Sequence, residues 1–274
     1  MYENIKLIVA DIDSTLKPKG DITKRTIDTI EKLRDKGFLI GLASGRPYED
    51  IYNMYQKWSM RNQFDFLICW NGGQLFDNKT QKVYKYNYLT KEQLKEIVWF
   101  MLPYDTTISM YKPGIYLCNK KTEKSTFSAW KLNREYVLTD NISEFYDGDN
   151  GGIMFRSTPE LTNRIEKELA NQLKGKEYIM FKTQEDLLEF SNKECNKGFA
   201  LKKYCDLYNI SLDDCLAFGD TTNDNEMLKC CHGVCLLNGS DDTKACAEKI
   251  TDLDCEHEGW ADFIDKYIFK IKEK

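Results

Sequence analysis

Strand-like apolar runs alternate with helical patterns at both ends of this chain. Residues 5–10 form an apolar run with one lysine, which is typical of a strand buried on both faces of a sheet. A helical pattern with Thr23 as its N-cap follows, and residues 38–43 and 65–70 are two more strand candidates. Alternation of this kind predicts an α/β fold with a parallel sheet and right-handed crossovers.

The middle of the chain has a different pattern, with short strands and two helices at residues 91–101 and 159–173. This pattern predicts an inserted α+β domain with an antiparallel sheet. Strands are expected in it at residues 84–88, 107–110, 114–118 and 152–156. The parallel sheet of the first domain is then completed by the C-terminal segment, with a helix at 197–208 and strands at 215–218 and 233–237.

Composition restricts the possible partners and location. The 274 residues carry a formal net charge of -5, which argues against the basic surface of a nucleic-acid-binding protein. No apolar stretch reaches the roughly 18 residues that span a bilayer, and the N-terminus lacks the layout of a signal peptide. The ten cysteines form no CxxC pair and are expected to be buried thiols. We therefore predict a cytoplasmic protein with neither nucleic acid nor membrane as a partner.

Two aspartates, Asp11 and Asp13, directly follow the first predicted strand. The carboxyl ends of parallel strands are where α/β sheets bind ligands. Two nearby carboxylates repel each other, so one becomes protonated unless a cation neutralises them. Magnesium prefers oxygen ligands and often bridges carboxylates to a phosphate. By itself the pair fits an ordinary polar loop equally well.

Three further segments carry polar groups that could meet the aspartates at the same sheet edge. Ser44 and Gly45 follow the second strand and begin a helix, where backbone N–H groups bind anions. Lys197 opens a later helix, and Asp220 and Asp224 flank Asn223 after another apolar strand. Each segment has a simpler interpretation: an N-cap serine, a solvated lysine, or a polar turn. Together they supply what a site for a metal and a phosphate needs.

The order of these motifs, DIDST, SGR, NKG and GDTTND, resembles the haloacid dehalogenase-like phosphatases. More narrowly it resembles their Cof-type subfamily, whose large cap domain is inserted between the second and third motifs. The resemblance implies a Rossmann-like core domain at residues 1–80 and 189–274, with an α+β cap domain at 81–188. It also implies a monomer that hydrolyses small phosphorylated metabolites, such as sugar phosphates, with Mg²⁺.

The resemblance further implies a role for each motif residue. Asp11 is expected to attack the phosphorus and to ligate the metal, and Asp13 to act as acid and then base while its carbonyl ligates the metal. Asp220 is expected to ligate the metal, and Asp224 to support the metal directly, through water, or by pairing with Lys197. Phosphate contacts are expected from Ile12, Ser44, Gly45, Lys197 and Asn223.

One position departs from the subfamily pattern, since Ser14 stands where its members usually carry glycine. A serine costs backbone freedom there if the loop requires a positive φ. Two alternatives stay open on the sequence. A phosphomutase or phosphotransferase would use the same motifs but return the phosphoryl group to an acceptor other than water, and a non-catalytic protein would only bind a phosphate ligand.

Overall fold

The computed structural model describes residues 2–58, 60, 64–131 and 134–270, which fall into two compact units. Unit 1 comprises Met1–Tyr86 and Asn196–Lys274, and unit 2 comprises Asn87–Cys195. Unit 2 is thus an insertion between two segments that fold together. No helix in the described part of the chain is both long enough and apolar enough to cross a membrane.

The described part of the N-terminal segment of unit 1 supplies five strands and two α-helices. They are β1 (Leu7–Asp11), α1 (Lys24–Asp35), β2 (Leu39–Ala43), α2 (Tyr48–Tyr55), β3 (Phe66–Cys69), β4 (Gln74–Asp77) and β5 (Lys82–Lys85). Thr23 caps α1 as predicted, because its side chain accepts a hydrogen bond from the Thr26 N–H. Pro47 immediately precedes α2, where its missing N–H leaves no helical bond unmade.

In its described residues, unit 2 contains one six-stranded sheet and three α-helices. Its elements are α3 (Lys91–Met101), β6 (Thr107–Lys112), β7 (Ile115–Cys118), α4 (Glu123–Lys131), β8 (Glu135–Leu138), β9 (Ile153–Arg156), α5 (Pro159–Leu169), β10 (Tyr178–Gln184) and β11 (Leu187–Asn192). The strand order is β10-β11-β9-β6-β7-β8, and all pairs are antiparallel except β7 with β8. A capping box formed by Thr90 and Gln93 begins α3. The predicted α+β insert is confirmed.

The C-terminal segment returns to unit 1 and completes its sheet. It contributes α6 (Lys197–Tyr208), β12 (Cys215–Gly219), α7 (Asn225–Lys229), β13 (His232–Cys235), α8 (Asp241–Lys244), β14 (Lys249–Ile250) and α9 (Gly259–Phe263). The order of the eight strands is β14-β13-β12-β1-β2-β3-β4-β5. The six strands from β14 to β3 are parallel, which confirms the predicted parallel sheet, whereas β4 and β5 add an antiparallel edge.

Strand β1 lies near the middle of this sheet and is buried on both faces. Ile8 and Ala10 pack into the core on one face, and Leu7 and Val9 pack into the core on the other. This alternation follows from the two-residue period of a strand. A strand with helices on both sides must be apolar throughout, which explains the uninterrupted apolar run in the sequence.

The limits of the two units differ from the predicted domain limits at 80/81 and 188/189. Strand β5 pairs with β4, so the strand expected at 84–88 belongs to the sheet of unit 1. Strand β11 pairs with β9 and β10, so it belongs to the sheet of unit 2. In both cases strand pairing, which the local sequence does not specify, decides to which unit the segment belongs.

Candidate active site

Three parallel strands carry the candidate residues to one edge of the unit 1 sheet. Asp11 is the last residue of β1, Ser44 directly follows β2, and Asp220 directly follows β12. Strand β1 lies between the other two, with Asp11 opposite Ala43 and Ala10 opposite Phe218. Because the strands run in the same direction, their carboxyl ends and the loops after them lie side by side.

The first residue of α6, Lys197, connects two of these loops. Its Nζ donates hydrogen bonds to Asp11 Oδ1 and to Asp224 Oδ1, both at 2.6 Å. The lysine is fully buried, an environment that is favourable for a charged group only when it has close partners of opposite charge. Burial lowers the pKa of Lys197, but its attraction to Asp11 and Asp224 overrides this and leaves the pKa above its usual value. Lys197 is therefore a cation fixed at the nucleophile candidate.

Three buried carboxylates, Asp11, Asp220 and Asp224, offer oxygens that lie within 4.8 Å of one another. Burial raises the pKa of Asp11 to about 8, helped by repulsion from Asp224 and Asp220 and opposed by Lys197. Burial also raises the pKa of Asp220 to about 6, although a hydrogen bond from Thr15 Oγ1 opposes the shift. When all three carboxylates are ionised, the single ammonium of Lys197 leaves two negative charges in excess, so a divalent cation would relieve the repulsion that raises these pKa values.

The loop after β12 is held by Asp224 itself. Its Oδ2 accepts hydrogen bonds from the backbone N–H groups of Asp220 (3.0 Å) and Thr221 (3.1 Å). A Cβ at Gly219 would lie 2.4 Å from the Asp224 side chain, so only glycine allows this approach. Gly219 is therefore required for close packing between the end of β12 and Asp224. Asp224 thereby shapes the loop and pairs with Lys197 at the same time.

The Asp13 side chain has different surroundings from the three buried carboxylates. It is 46% exposed and forms a two-point ion pair with Arg46, whose Nε lies 3.0 Å from Oδ2 and whose Nη2 lies 3.1 Å from Oδ1. Lys17 lies farther away, with its Nζ 3.8 Å from Asp13 Oδ1. A forked guanidinium contact fixes the orientation of a carboxylate. Arg46 belongs to the SGR motif but was not among the predicted site residues.

The candidate phosphate-binding groups lie on loops of the same unit. Ser44 is buried, and its Oγ accepts a hydrogen bond from the Arg46 N–H at 3.3 Å. The Ile12 side chain is fully buried, which anchors the backbone between Asp11 and Asp13. Asn223 is exposed, and its Oδ1 accepts a hydrogen bond from Thr221 Oγ1 at 2.7 Å. Thr15 and Thr221, which bond site residues, were not predicted because a hydroxyl in a polar loop gives no distinctive sequence signal.

Comparison with known proteins agrees with this arrangement. Residues 8–264 match the family of haloacid dehalogenase-like hydrolases. A 5-amino-6-(5-phospho-D-ribitylamino)uracil phosphatase of Bacillus subtilis is 24% identical over 267 residues, covering 95% of this chain and 97% of that protein. An HMP-PP phosphatase of Yersinia pseudotuberculosis is 26% identical over 228 residues, which cover 81% of this chain and 80% of that protein. A haloacid dehalogenase-like hydrolase from Bacteroides thetaiotaomicron has a similar fold, with a TM-score of 0.84, 23% identity, and coverage of 96% and 99%.

The chain belongs to the haloacid dehalogenase-like hydrolases, since the family match spans both units. Within them it is a Cof-type phosphatase, an enzyme that hydrolyses phosphate monoesters. The resemblance inferred from the four sequence motifs is thereby confirmed.

Proposed function

We propose that this enzyme is a magnesium-dependent phosphatase that removes phosphate from small phosphorylated metabolites through an aspartyl-phosphate formed on Asp11. The observation that carries the proposal is the contact of Asp11 with the buried ammonium of Lys197 at 2.6 Å, inside a group of three carboxylates. A carboxylate held against a fixed cation at a sheet edge is suited to attack an anionic phosphoryl group, because the cation offsets repulsion between nucleophile and substrate.

The donor set of the site fits a magnesium ion. Asp11, Asp220 and Asp224 supply hard oxygen ligands and an excess of negative charge. We propose that Asp11 and Asp220 hold the metal together with the Asp13 carbonyl, and that Asp224 supports it from its position beside Lys197. When bound, Mg²⁺ neutralises charge on the phosphoryl oxygens and keeps Asp11 ionised at neutral pH.

Asp11 and Asp13 divide the chemistry between them. An Asp11 oxygen forms a bond to phosphorus while the bond from phosphorus to the leaving oxygen breaks, and Asp13 donates a proton to that oxygen. Asp13, now ionised, accepts a proton from water, whose oxygen attacks phosphorus and releases Asp11. The exposure of Asp13 supports this assignment, because a proton carrier must reach both substrate and solvent.

The phosphate oxygens are proposed to be held by neighbouring donors of unit 1. Lys197 supplies charge, and Ser44, Asn223 and the N–H groups of Ile12 and Gly45 supply hydrogen bonds. Such donors stabilise the charge that spreads over the phosphoryl oxygens during transfer. Every residue given a role lies in unit 1, so a second copy of the chain is not required, and we propose a monomer.

Sugar phosphates and similar small esters are the proposed substrates, and the cytoplasm is the proposed location. The two relatives of the chain that are named above are phosphatases of small phosphorylated compounds. Seven of the ten cysteines are buried, and thiols of this kind persist in a reducing compartment. The net charge of -5 supports the proposal that the protein does not bind nucleic acid.

The test is hydrolysis of p-nitrophenyl phosphate and of a panel of sugar phosphates, with and without Mg²⁺. Asp11→Asn should reduce turnover by at least about 10³-fold, because the amide is a poor nucleophile. Asp13→Asn should slow both steps and allow phosphoenzyme to be trapped. Asp28→Asn is the matched control, because Asp28 lies on the exposed face of α1 and pairs with Lys24.

Three results would contradict the proposal. They are full activity in Asp11→Asn, activity that survives EDTA, and unchanged rates in Asp13→Asn. The panel is repeated with sugar acceptors, and transfer of labelled phosphate to an acceptor in preference to water would identify a phosphotransferase instead.

A further inference from the structure

The turn after β3, residues Trp70–Gly72, has an unusual backbone. Trp70, Asn71 and Gly72 have φ angles of 51°, 49° and 102°, so three successive residues occupy the left-handed region. Residues other than glycine rarely adopt this region, and asparagine is among the more tolerant of them. Unfavourable backbone conformations persist when surrounding contacts enforce them, and they concentrate at functional sites. The mechanism proposed above assigns no role to this turn.

The turn is bound to the loop that carries Ser44 and Gly45. The Asn71 N–H donates to the Ser44 carbonyl at 3.0 Å, and the Trp70 N–H donates to the Arg46 carbonyl at 2.9 Å. A Cβ at Gly45 would lie 3.2 Å from Asn71 Oδ1, so the Asn71 amide packs directly on the Gly45 backbone. The backbone and the side chain of Asn71 therefore both support one of the phosphate-binding loops.

The same turn also lies against the start of α6. A Cβ at Gly72 would lie 2.1 Å from the carbonyl oxygen of Asn196, the N-cap residue that precedes Lys197. Only glycine permits this contact, and its positive φ is likewise natural only for glycine. The turn thus lies between the loop of Ser44 and the helix of Lys197.

The Asn71 side chain reaches a third segment, the loop after β12. Asn223 Nδ2 donates a hydrogen bond to Asn71 Oδ1 at 3.1 Å, while Asn223 Oδ1 accepts one from Thr221. These two bonds fix both ends of the Asn223 amide. Because an amide nitrogen carries two N–H groups, the bond to Asn71 still leaves one N–H for a phosphate oxygen.

We infer that Asn71 is a positioning residue that orients the Asn223 amide for phosphate and holds it in register with the Ser44–Gly45 loop. The inference rests on the proposed phosphate-binding role of Asn223. Without the Asn71 oxygen, the Asn223 amide is free to rotate about its side-chain bonds, and ordering it again opposes phosphate binding. Asn71 acts on the substrate through Asn223 and not by touching it.

The central variant is Asn71→Gly, because glycine keeps the positive φ at no steric cost and removes only the side chain. We expect the inhibition constant of inorganic phosphate and the KM of the substrate to rise about 3- to 10-fold, the effect of losing about one hydrogen bond. The kcat should change less than about twofold, since the bond acts in ground state and transition state alike. Asn209→Gly is the matched control, because Asn209 also has a positive φ and lies at the far end of α6, about 18 Å along the helix from Lys197. It should leave both constants unchanged.

A double-mutant cycle separates positioning from a direct contact. If Asn71 acts through Asn223, then Asn71→Gly combined with Asn223→Ala should weaken phosphate binding no more than Asn223→Ala alone, within about twofold. The inference would be overturned if the increases in the phosphate inhibition constant caused by the two substitutions multiplied in the double variant. It would also be overturned if the inhibition constant and KM of Asn71→Gly equalled those of wild type. If Asn223→Ala has no effect, both the role of Asn223 and this inference fail, whereas the test of Asp11 stands separately.

A second variant keeps the inference testable if Asn71→Gly does not fold, as judged by circular dichroism. Asn71→Ser also removes the amide, its hydroxyl is one bond shorter, and serine already occupies a positive φ in this protein at Ser14. The inhibition constant of phosphate should then rise severalfold in the wild-type background and not further in the Asn223→Ala background. A further rise in the Asn223→Ala background would contradict the inference.

Discussion

At the scale of single residues, Ser14 adopts a left-handed conformation with a φ of 66°. Glycine, which members of the subfamily usually carry at this position, would be favoured in that conformation. Its N–H donates to the Lys17 carbonyl at 2.8 Å, and its own carbonyl accepts from Asn238 Nδ2 at 2.9 Å, so the loop around it is fixed. A left-handed conformation costs a residue with a Cβ about 1–2 kcal/mol. The serine therefore destabilises the conformation of the loop that carries Asp11 and Asp13.

Ser14→Gly should stabilise the protein by about 0.5–1 kcal/mol. Glycine removes the local strain, but part of the gain is lost to the greater freedom of glycine in the unfolded chain. Urea unfolding at pH 7 measures the difference. Ser14→Ala keeps the Cβ and serves as the control, which should show no such gain. A glycine variant no more stable than the alanine variant would show that the loop is not strained at this position.

Lys197 also sets the stability of the site, because it is fully buried between two carboxylates. Lys197→Ala should weaken phosphate binding and should lower the free energy of unfolding by about 3 kcal/mol, since it leaves buried carboxylates unpaired. Lys202→Ala changes an exposed lysine of the same helix and is the matched control. Chemical denaturation and inhibition by inorganic phosphate provide the two measurements. Unaltered phosphate affinity in a folded Lys197→Ala variant would exclude Lys197 as a phosphate ligand.

At the scale of elements, the segments that the sequence predicted well are those with a strong local signal. The predicted limits of α3 and α6 agree with the structure, because both helices have an N-cap residue and buried residues at helical spacing. Helix α4 was not predicted, since Phe127 and Trp130 are 57% and 74% exposed and do not mark a buried face. Strand β4 was not predicted, and the edge strand β5 was assigned to the insert, because pairing partners are not encoded locally.

The same distinction applies to the candidate site: its location was predicted from local motifs, whereas contacts between residues far apart in the sequence were not. The motif order predicted which loops meet, because parallel strands place their carboxyl ends together. The pairing of Lys197 with Asp224 was one of three alternatives left open by the resemblance. The bonds of Lys197 to Asp11 and of Arg46 to Asp13 were not predicted, because such contacts depend on side-chain conformations in the folded chain. No role was predicted for Asn71.

A cluster of ion pairs connects three elements of unit 2, and its stability should depend on pH. Asp186, between β10 and β11, is buried and bonds Arg156 of β9 at 2.6 Å as well as Lys124 of α4. Burial raises the pKa of Asp186, but hydrogen bonds from Lys124 and Arg156 outweigh this and hold the pKa below its usual value. The pKa of Asp186 is thus lower in the folded state than in the unfolded state. The ionised Asp186 therefore stabilises the fold fully when the pH is above 3.8, its ordinary pKa, and this stabilisation is lost as the pH falls below that value.

Asp186→Asn should therefore destabilise the protein at pH 7, by about 1–3 kcal/mol, and the difference from wild type should shrink as the pH falls below 4. Asp105→Asn is the control: Asp105 pairs with Lys120 in the same unit but is 88% exposed, so little change is expected. Urea unfolding at several pH values provides the measurement. A difference between Asp186→Asn and wild type that does not vary with pH would mean that the pairing of Asp186 with Arg156 and Lys124 does not depend on its charge.

At the scale of the whole molecule, unit 1, which carries the candidate active site, is assembled from two chain segments separated by the 109 residues Asn87–Cys195. The first segment brings Asp11, and the second brings Lys197, Asp220 and Asp224. Strand β1 pairs with β12, so the centre of the unit 1 sheet joins the two segments. The candidate metal ligands exist as a group only when both segments are folded together, which couples ligand binding to the folding of unit 1.

Mg²⁺ should consequently stabilise the protein against heat. At a concentration 100 times the dissociation constant, a ligand that binds only the folded state adds about 2.7 kcal/mol. For a unit of this size that corresponds to a rise in Tm of about 5–10 °C. Differential scanning calorimetry with Mg²⁺ or with EDTA measures it, and Asp220→Asn, which removes a proposed ligand charge, should abolish most of the rise. Na⁺ at equal ionic strength controls for screening. If Tm is the same in Mg²⁺ and in EDTA while turnover still requires Mg²⁺, the metal enters with the substrate phosphate and not through a site preformed by Asp11 and Asp220.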